Sequence, residues 1–291
     1  MEKGVLFCFG LGFSAQRLSK LLQPYGWKIR GTCRTPEKVT EMKRIGIDAH
    51  VFDGTGELDS CWIDGATHLL SSVPPNDAGD PVLTNCREIL VACGSIKWIG
   101  YLSTTGVYGN TDGEWVDETS ATRTEVPRSQ RRIKSEKEWL SLDADNSLSV
   151  HVFRLAGIYG PGRNALNAIR AGRARRIDKP GHKFSRIHVD DIALVLHASM
   201  EKPNSGAIYN VCDDFPAPPA EVTAFGCSLL GVEPPPLVPY GEASKSMTPI
   251  GLSFWKDNRR VRNDRIKREL GVSLVYPTYR EGLRALAADF R

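Results

Sequence analysis

The sequence predicts an α/β protein built on an open, doubly wound parallel sheet. Short apolar segments alternate with helical segments from residue 4 to residue 103, and this alternation is typical of βαβ units with parallel strands. Right-handed crossovers then place helices on both faces of the sheet. The second half is interrupted by Gly160-Pro161-Gly162 and Pro234-Pro235-Pro236. These breaks predict a smaller C-terminal α/β lobe.

The first half supplies five strands and three helices. The predicted strands are 4–9, 27–33, 48–52, 67–73 and 97–103. The predicted helices are 13–23, a segment from Thr35-Pro36-Glu37 to near Gly46 with Thr35 as a possible N-cap, and 80–93. In the second half we expect helices at 128–142 and 190–201, with Asp190 as the N-cap of the latter, and strands at 148–154 and 206–211.

Composition narrows the class of protein. A chain of 291 residues with 41% hydrophobic and 25% charged residues forms one large domain, or one domain and a smaller lobe, and is not disordered, collagen-like or coiled-coil as a whole. Apolar runs such as 192–196 are far shorter than the roughly 20 residues of a membrane helix. The start, MEKGVLFCFG, enters a strand at once, so we expect no leader. Seven cysteines without a C-x-x-C pair predict a reduced, cytoplasmic protein with no zinc site.

The basic residues are clustered, although the net charge is only +4. Segment 170–186 holds seven Lys/Arg against one Asp, and segment 256–268 holds seven against two. Solvated helix faces are the plainest interpretation, and a pocket for an anionic ligand is the next. Nucleic acid comes third, because no RNA-binding motif is visible. Residues 258–270 predict an amphipathic basic helix.

A glycine-rich turn joins the first strand to the first helix. It reads Gly10-Leu11-Gly12-Phe13-Ser14-Ala15, a G-x-G-x-x-A pattern. Gly10 permits the tight turn, Gly12 lets the backbone approach a pyrophosphate, and Ala15 lets the helix pack closely. Phosphates favour the N–H groups and the dipole of such a helix N-terminus. The position at the first βα turn predicts a dinucleotide site; a tight turn without a ligand is the alternative.

The residues at the end of the second strand help to distinguish an NAD site from an NADP site. NAD sites place an acidic residue there to hold the ribose hydroxyls, whereas this chain has Arg34 and no acid before Glu37. A guanidinium suits a 2′-phosphate, so NADP is the preferred cofactor and NAD the alternative; a plain surface arginine is also compatible. Asp53 is placed to accept a hydrogen bond from an adenine amino group, or to form an Asx turn with Gly54.

Four motifs in this order resemble the extended, epimerase/dehydratase branch of the short-chain dehydrogenase/reductase superfamily. They are FGLGFSA at 9–15, LSTTGVYG at 102–109, RLAGIYGPGRN at 154–164 and RIHVDD at 186–191. The resemblance implies a Rossmann-type dinucleotide-binding domain over 1–155, completed by about 185–212. It also implies a substrate lobe formed by 156–184 and 213–291, and a homodimer through the helices near 80–93 and 128–142.

In the resembling family a Ser or Thr hydrogen-bonds the reacting oxygen of the substrate, and a Tyr takes or gives its proton. A Lys four residues after that Tyr lowers the Tyr pKa and holds the nicotinamide ribose. The resemblance assigns Thr104 to the first role. This chain departs at the other two: aligning Ser135-Glu136-Lys137 with the family's Ala-Glu-Lys puts Arg128 at the Tyr position and Arg132 at the Lys position. Arginine stays protonated. Arg128 is therefore assigned to substrate, Arg132 to the ribose or phosphate of the cofactor, and Tyr108 is the replacement acid to be tested.

The resemblance also implies that Arg163, Asn164 and Arg186 face the substrate, with Arg186 on a diphosphate. Three functions follow. The first is an NAD(P)-dependent oxidoreductase or isomerase acting on an anionic small molecule, a class that includes nucleotide-linked molecules. The second is a non-catalytic NADP(H) sensor, and the third is nucleic-acid binding through the basic helices, which is the least favoured. The sequence predicts neither a metal site nor a membrane partner.

Overall fold

The central sheet dominates the computed structural model, which describes residues 3–56, 58–146 and 148–288. The strands in chain order are β1 (Val5–Phe9), β2 (Lys28–Cys33), β3 (Asp48–Val51), β4 (His68–Ser71), β5 (Trp98–Thr104), β6 (Trp115–Val116), β7 (Val150–Leu155), β8 (Gly157–Tyr159), β9 (Arg176–Asp178), β10 (Arg186–His188), β11 (Ile208–Val211), β12 (Leu237–Pro239) and β13 (Arg260–Val261). The helices are α1 (Phe13–Leu22), α2 (Pro36–Arg44), α3 (Pro81–Ala92), α4 (Pro127–Asn146), α5 (Ala165–Arg170), α6 (Val189–Glu201), α7 (Pro219–Leu230), α8 (Tyr240–Ala243), α9 (Pro249–Lys256), α10 (Asp264–Leu270) and α11 (Tyr279–Ala288).

Seven strands form one parallel sheet in the order β11-β7-β5-β4-β1-β2-β3. The order reverses at β1, which pairs with β2 on one side and β4 on the other. Ligands of open α/β sheets bind outside the carboxyl ends of the strands at such a reversal. The predicted fold class, a Rossmann-type doubly wound sheet, is confirmed.

The inner strands of the sheet are buried because helices cover both of its faces. Every residue of β5 from Trp98 to Ser103 is buried, as is the whole of β7. The two strands beyond β5 at one edge of the sheet, β7 and β11, come from the second half of the chain. Gly31 on β2 is needed for close approach, since a Cβ there would lie 2.4 Å from the carbonyl oxygen of Cys8.

A smaller substructure lies beyond the carboxyl edge of the sheet. It contains the two-stranded pairs β8–β10 and β9–β12. Helices α5, α7 and α11 share a separate apolar cluster, formed by Tyr159, Leu166, Ala217, Val222, Tyr279, Leu283 and Leu286. This cluster anchors the wall of the site described below.

Two sequence-based expectations about helices are wrong. His188, not Asp190, is the N-cap of α6, because its Nδ1 accepts the N–H of Asp190 at 3.2 Å. Segment 258–270 is not one helix. Arg260 and Val261 pair as β13 with β6, and only Asp264–Leu270 is helical. The backbone carbonyl of Asn258 accepts N–H groups from Thr111 and Gly113, so tertiary pairing takes the first residues away from the helix.

Within the described ranges, no helix is both long enough and apolar enough to cross a membrane. All seven cysteines are free thiols. Among the described residues, no cluster of three or more His, Cys, Asp or Glu side chains is arranged to hold a metal ion.

Candidate functional site

The glycine turn has two glycines with different structural demands. Gly10 follows β1 with φ +83°, and a Cβ there would lie 2.8 Å from the hydroxyl of Ser72. Gly12 has an ordinary φ of −84°, and a Cβ there would meet nothing within 4 Å. The fold therefore needs glycine at position 10. Position 12 is open, and the free space in front of it is the kind a closely approaching ligand would use.

Helix α1 begins at Phe13 directly behind this space. Its N-cap, Gly12, makes no side-chain cap, and its first turn carries no acidic residue. Ser14 and Ala15 are buried, and Ala15 is fully covered. The first N–H groups of a helix have no intrahelical acceptor and favour an anion. The turn thus fits a dinucleotide pyrophosphate: the N-cap of α1 makes no side-chain hydrogen bond to the first N–H groups, and the space at Gly12 is open. The N–H of Gly10 is already donated to the Thr32 hydroxyl.

Arg34 and Asp53 lie at the neighbouring strand ends. Arg34 directly follows β2 and is exposed. Asp53 follows β3; its Oδ1 accepts the backbone N–H of Thr55 at 2.9 Å and the Thr55 hydroxyl at 2.6 Å. These hydrogen bonds, the hydroxyl's first, lower the pKa of Asp53. The turn alternative for Asp53 is therefore formed, and a role toward adenine stays a prediction.

A cavity of about 740 Å³ opens at the carboxyl ends of β5 and β7. Five cationic side chains and one carboxylate are among its lining residues: Arg128, Arg132, Lys183, Arg186, Arg259 and Asp257. The carboxylate is already paired, since Asp257 lies 3.1 Å from the Nη1 of Arg259. A concave site with unbalanced positive charge attracts anions.

Arg128 and Arg132 lie one turn apart on α4, so they share a face. The Arg132 Nη1 donates to the carbonyl of Leu102 at 2.8 Å and to the hydroxyl of Tyr101 at 3.0 Å. Burial raises the pKa of Tyr101 to about 12. The Arg128 guanidinium lies 4.2 Å from the ring centroid of Phe254 on α9. These contacts hold both cations at the wall of the cavity.

Thr104 ends β5 beside these arginines and lines the cavity. Its hydroxyl accepts the N–H of Gly106 at 3.0 Å and caps a short 3-10 turn over Thr105–Tyr108. The hydroxyl proton remains available for an acceptor in the cavity, because this bond uses only an oxygen lone pair.

The prediction of Tyr108 as a replacement acid is wrong. Tyr108 is 1% exposed, and its hydroxyl donates to Asn210 at 2.7 Å and accepts from Arg154 at 3.0 Å. Burial raises its pKa to about 12. Arg154 is in turn paired with buried Glu136 at 2.7 Å, and Glu136 accepts the hydroxyl of Ser103. Tyr108 thus belongs to a buried network that ties α4 to β5 and β7.

Arg163 and Asn164 do not line the cavity. Asn164 is the N-cap of α5 and also donates to the carbonyl of Gly160 at 2.8 Å. The guanidinium of Arg163 lies 6.0 Å from the ring centroid of Phe13, beside the glycine turn. The structure therefore separates these two residues from Arg128 and Arg186, with which the sequence grouped them.

Two known proteins resemble this chain over nearly its whole length. The chain is 48% identical to a conserved protein of unknown function from Silicibacter pomeroyi, whose structure matches over 99% of both chains with a TM-score of 0.91. The chain belongs to the same family as this protein. It is also 29% identical over 280 residues to Protein YeeZ of Escherichia coli K12, covering 92% of this chain and 94% of YeeZ. No family model matches the chain.

Solved enzymes share the fold at lower identity. MoeE5 in complex with UDP-glucuronic acid and NAD is 19% identical and covers 98% of both chains, with a TM-score of 0.77. A dTDP-glucose 4,6-dehydratase from Bacillus anthracis in complex with NAD shares the same fold at 18% identity, over 99% of this chain and 96% of that chain, with a TM-score of 0.76. The resemblance inferred from the four motifs is therefore confirmed at the level of the fold.

Within this fold, the cavity contains three charged residues that the motif analysis missed, Lys183, Asp257 and Arg259. Lys183 lies within the basic segment 170–186, and the other two within 256–268. The clustering of charge was the available signal. Sequence spacing alone did not show which members of each cluster face the cavity. The loop between β9 and β10 positions Lys183, and the loop between α9 and β13 positions Asp257 and Arg259.

Proposed function

We propose that this protein binds NADP(H), or NAD(H) as the alternative, and acts as an oxidoreductase or isomerase on an anionic small molecule. The observation that carries the substrate class is the cavity at the carboxyl edge of the sheet. Five cationic side chains line it together with one carboxylate, Asp257, which is already paired with one of the five, Arg259. The space in front of Gly12 and the uncapped start of α1 support the cofactor. The exposed Arg34 supports a 2′-phosphate.

The chain's residues divide the work between binding and polarisation. Arg186 binds the acidic group of the substrate, and Arg128 and Lys183 add positive charge around it. Thr104 donates a hydrogen bond to the reacting oxygen, and Arg132, fixed by Leu102 and Tyr101, stabilises negative charge that develops there. The nicotinamide supplies hydride transfer when it is bound. The proton of the reacting oxygen is exchanged with water, because Arg128 and Arg132 remain protonated and burial raises the pKa of Tyr159 in the same wall.

Titration calorimetry with NADP+, NADPH, NAD+ and NADH tests the cofactor. We expect NADP(H) to bind more tightly than NAD(H). Turnover is tested by deuterium transfer from 4-deuterated NADPH to a panel of carbonyl compounds carrying carboxylate or phosphate groups, with uncharged analogues as the matched control. Transfer that requires the acidic group supports the proposal, and failure of all four nucleotides to bind refutes it.

A non-catalytic NADP(H) sensor is the second candidate. It is favoured by one observation: arginine occupies two of the three α4 positions that line the cavity, the third being Ser129, and the nearby phenol of Tyr108 is held in the buried network. Binding of NADPH without deuterium transfer to any compound of the panel would support the sensor and contradict the enzyme.

A further inference from the structure

A second, smaller cavity of about 210 Å³, the side chamber, lies beside the cationic one. The two cavities share Tyr159, Arg186 and Pro219 in their walls. The rest of this side chamber is mainly apolar and is contributed by three helices, with Ala165 from α5, Val222 and Thr223 from α7, and Tyr279 and Leu283 from α11. A compartment of this kind, next to a charged site, suits the apolar portion of a molecule whose acidic portion lies outside it.

Tyr159 forms part of the chamber wall with its ring. It is 7% exposed, and among the described residues its hydroxyl has no hydrogen-bond partner. Its ring tip lies against α11 at Gly282, where a Cβ would come within 2.1 Å of the hydroxyl oxygen. The hydroxyl is therefore covered by α11, and the ring lines the chamber.

Arg186 places a cation where the chamber meets the main cavity. Its Nη1 donates to the backbone carbonyls of Phe184 at 2.9 Å and Ala217 at 3.0 Å, which fixes the guanidinium. Burial lowers the pKa of Arg186, and the charge of Asp213 opposes that effect. A fixed guanidinium presents its remaining N–H groups to an anion in a planar, bidentate arrangement.

The volume of the chamber sets the size of what it can hold. An engineered apolar cavity of about 150 Å³ binds benzene. The 210 Å³ chamber therefore has room for one six-membered ring with a small substituent, and not for a fused polycyclic system.

We propose that the side chamber binds a six-membered ring of the substrate, with the substrate's acidic group on Arg186. This proposal rests on the proposed function, since it names the substrate class of the same site. It assigns to Ala165, Val222 and Leu283 the selection of ring-bearing anions over aliphatic ones.

The test compares phenyl phosphate, methyl phosphate and inorganic phosphate by titration calorimetry on the full chain. We expect phenyl phosphate to bind at least tenfold more tightly than methyl phosphate. Ala165→Leu extends a side chain into the chamber and should remove that preference, whereas Ala165→Ser, the matched control, should retain it. Val222→Phe fills the chamber from the opposite helix and should act like Ala165→Leu. Equal binding of the two esters by the unaltered protein overturns the proposal.

NADPH titration of the same variants separates the two proposals. NADPH that binds the unaltered protein, Ala165→Leu and Val222→Phe alike, together with no preference for phenyl phosphate, refutes the chamber and leaves the proposed function standing. A clear ring preference in a protein that binds none of the four nucleotides refutes the cofactor and leaves the chamber standing.

Discussion

Substituting each of the two glycines in the first βα turn by alanine should separate folding from cofactor binding. Gly12→Ala places a methyl group in space that the protein leaves open, since nothing lies within 4 Å of it. Gly10→Ala forces an alanine into φ +83° and brings its methyl group to 2.8 Å from the Ser72 hydroxyl. The two variants add the same group two residues apart, so each serves as the control for the other.

The structure gives the expected magnitudes. At Gly12, the loss of a glycine N-cap costs about 0.5–1 kcal/mol, and the reduced freedom of the unfolded chain returns about 0.4–1 kcal/mol, so the free energy of unfolding changes little. The methyl group obstructs the approach of a pyrophosphate, and we expect NADPH affinity to fall about 100-fold, or about 2.7 kcal/mol. At Gly10, strained backbone costs about 1–3 kcal/mol, which lowers the melting temperature by about 2–4 °C per kcal/mol.

The assay is titration calorimetry with NADPH and NADP+, paired with differential scanning calorimetry of the unliganded variants. Gly12→Ala should melt like the unaltered protein and bind NADPH weakly. Gly10→Ala should melt earlier. Unchanged NADPH affinity in Gly12→Ala would refute the reasoning, because the open space at Gly12 would then have no connection to the cofactor.

Three further variants test other parts of the argument. Arg34→Ala should weaken NADPH more than tenfold and leave NADH unchanged in calorimetric titration, because only NADPH carries the 2′-phosphate that the guanidinium would bind. Glu136→Gln leaves the buried guanidinium of Arg154 without its counter-charge, and we expect a loss of about 3–5 kcal/mol in urea unfolding at neutral pH. For Asp213, burial raises the pKa to about 8, while Arg186 opposes the shift and Asp214 adds to it. The folded protein therefore holds a proton that the unfolded chain releases near pH 4, and the stability this provides is lost as the pH rises toward 8. Asp213→Asn should remove this decline when unfolding is measured from pH 4 to pH 8.

Each of these three predictions has an outcome that contradicts it. Equal weakening of NADPH and NADH in Arg34→Ala would remove the argument for the phosphate. A Glu136→Gln variant as stable as the unaltered protein would show that the pair with Arg154 is not needed to hold α4. A decline in stability that persists in Asp213→Asn would assign the pH dependence to another group, such as Asp191, whose pKa burial raises to about 6.

Local patterns were sufficient for the first half of the fold. The apolar run Val5–Phe9, the helical stripe Phe13–Leu22 and the stop at Pro74-Pro75 each specify their element through nearby residues. Thr35 and Pro36 start α2 as expected, with the Thr35 hydroxyl accepting the N–H of Lys38. Parallel order follows from alternation, because βαβ crossovers have one hand.

Patterns were insufficient where distant segments decide the local conformation. Arg260 and Val261 carry a helical sequence pattern, and they pair with β6 because a strand partner is available there. Tyr108 follows Thr104 by four residues in the sequence, and it is removed from the site because its hydroxyl is hydrogen-bonded to Asn210 and Arg154, far along the chain.

The sequence by itself determined the sheet, the position of the glycine turn and the excess of basic residues in 170–186 and 256–268, because these properties depend on residues close together in the chain. Only the tertiary structure decided which of those cations face one cavity, that Asp257 is neutralised by Arg259, and that a side chamber lies beyond Arg186. Cavities form between elements that are remote in sequence. Their shape and charge depend on how those elements pack, and a linear pattern does not contain that information.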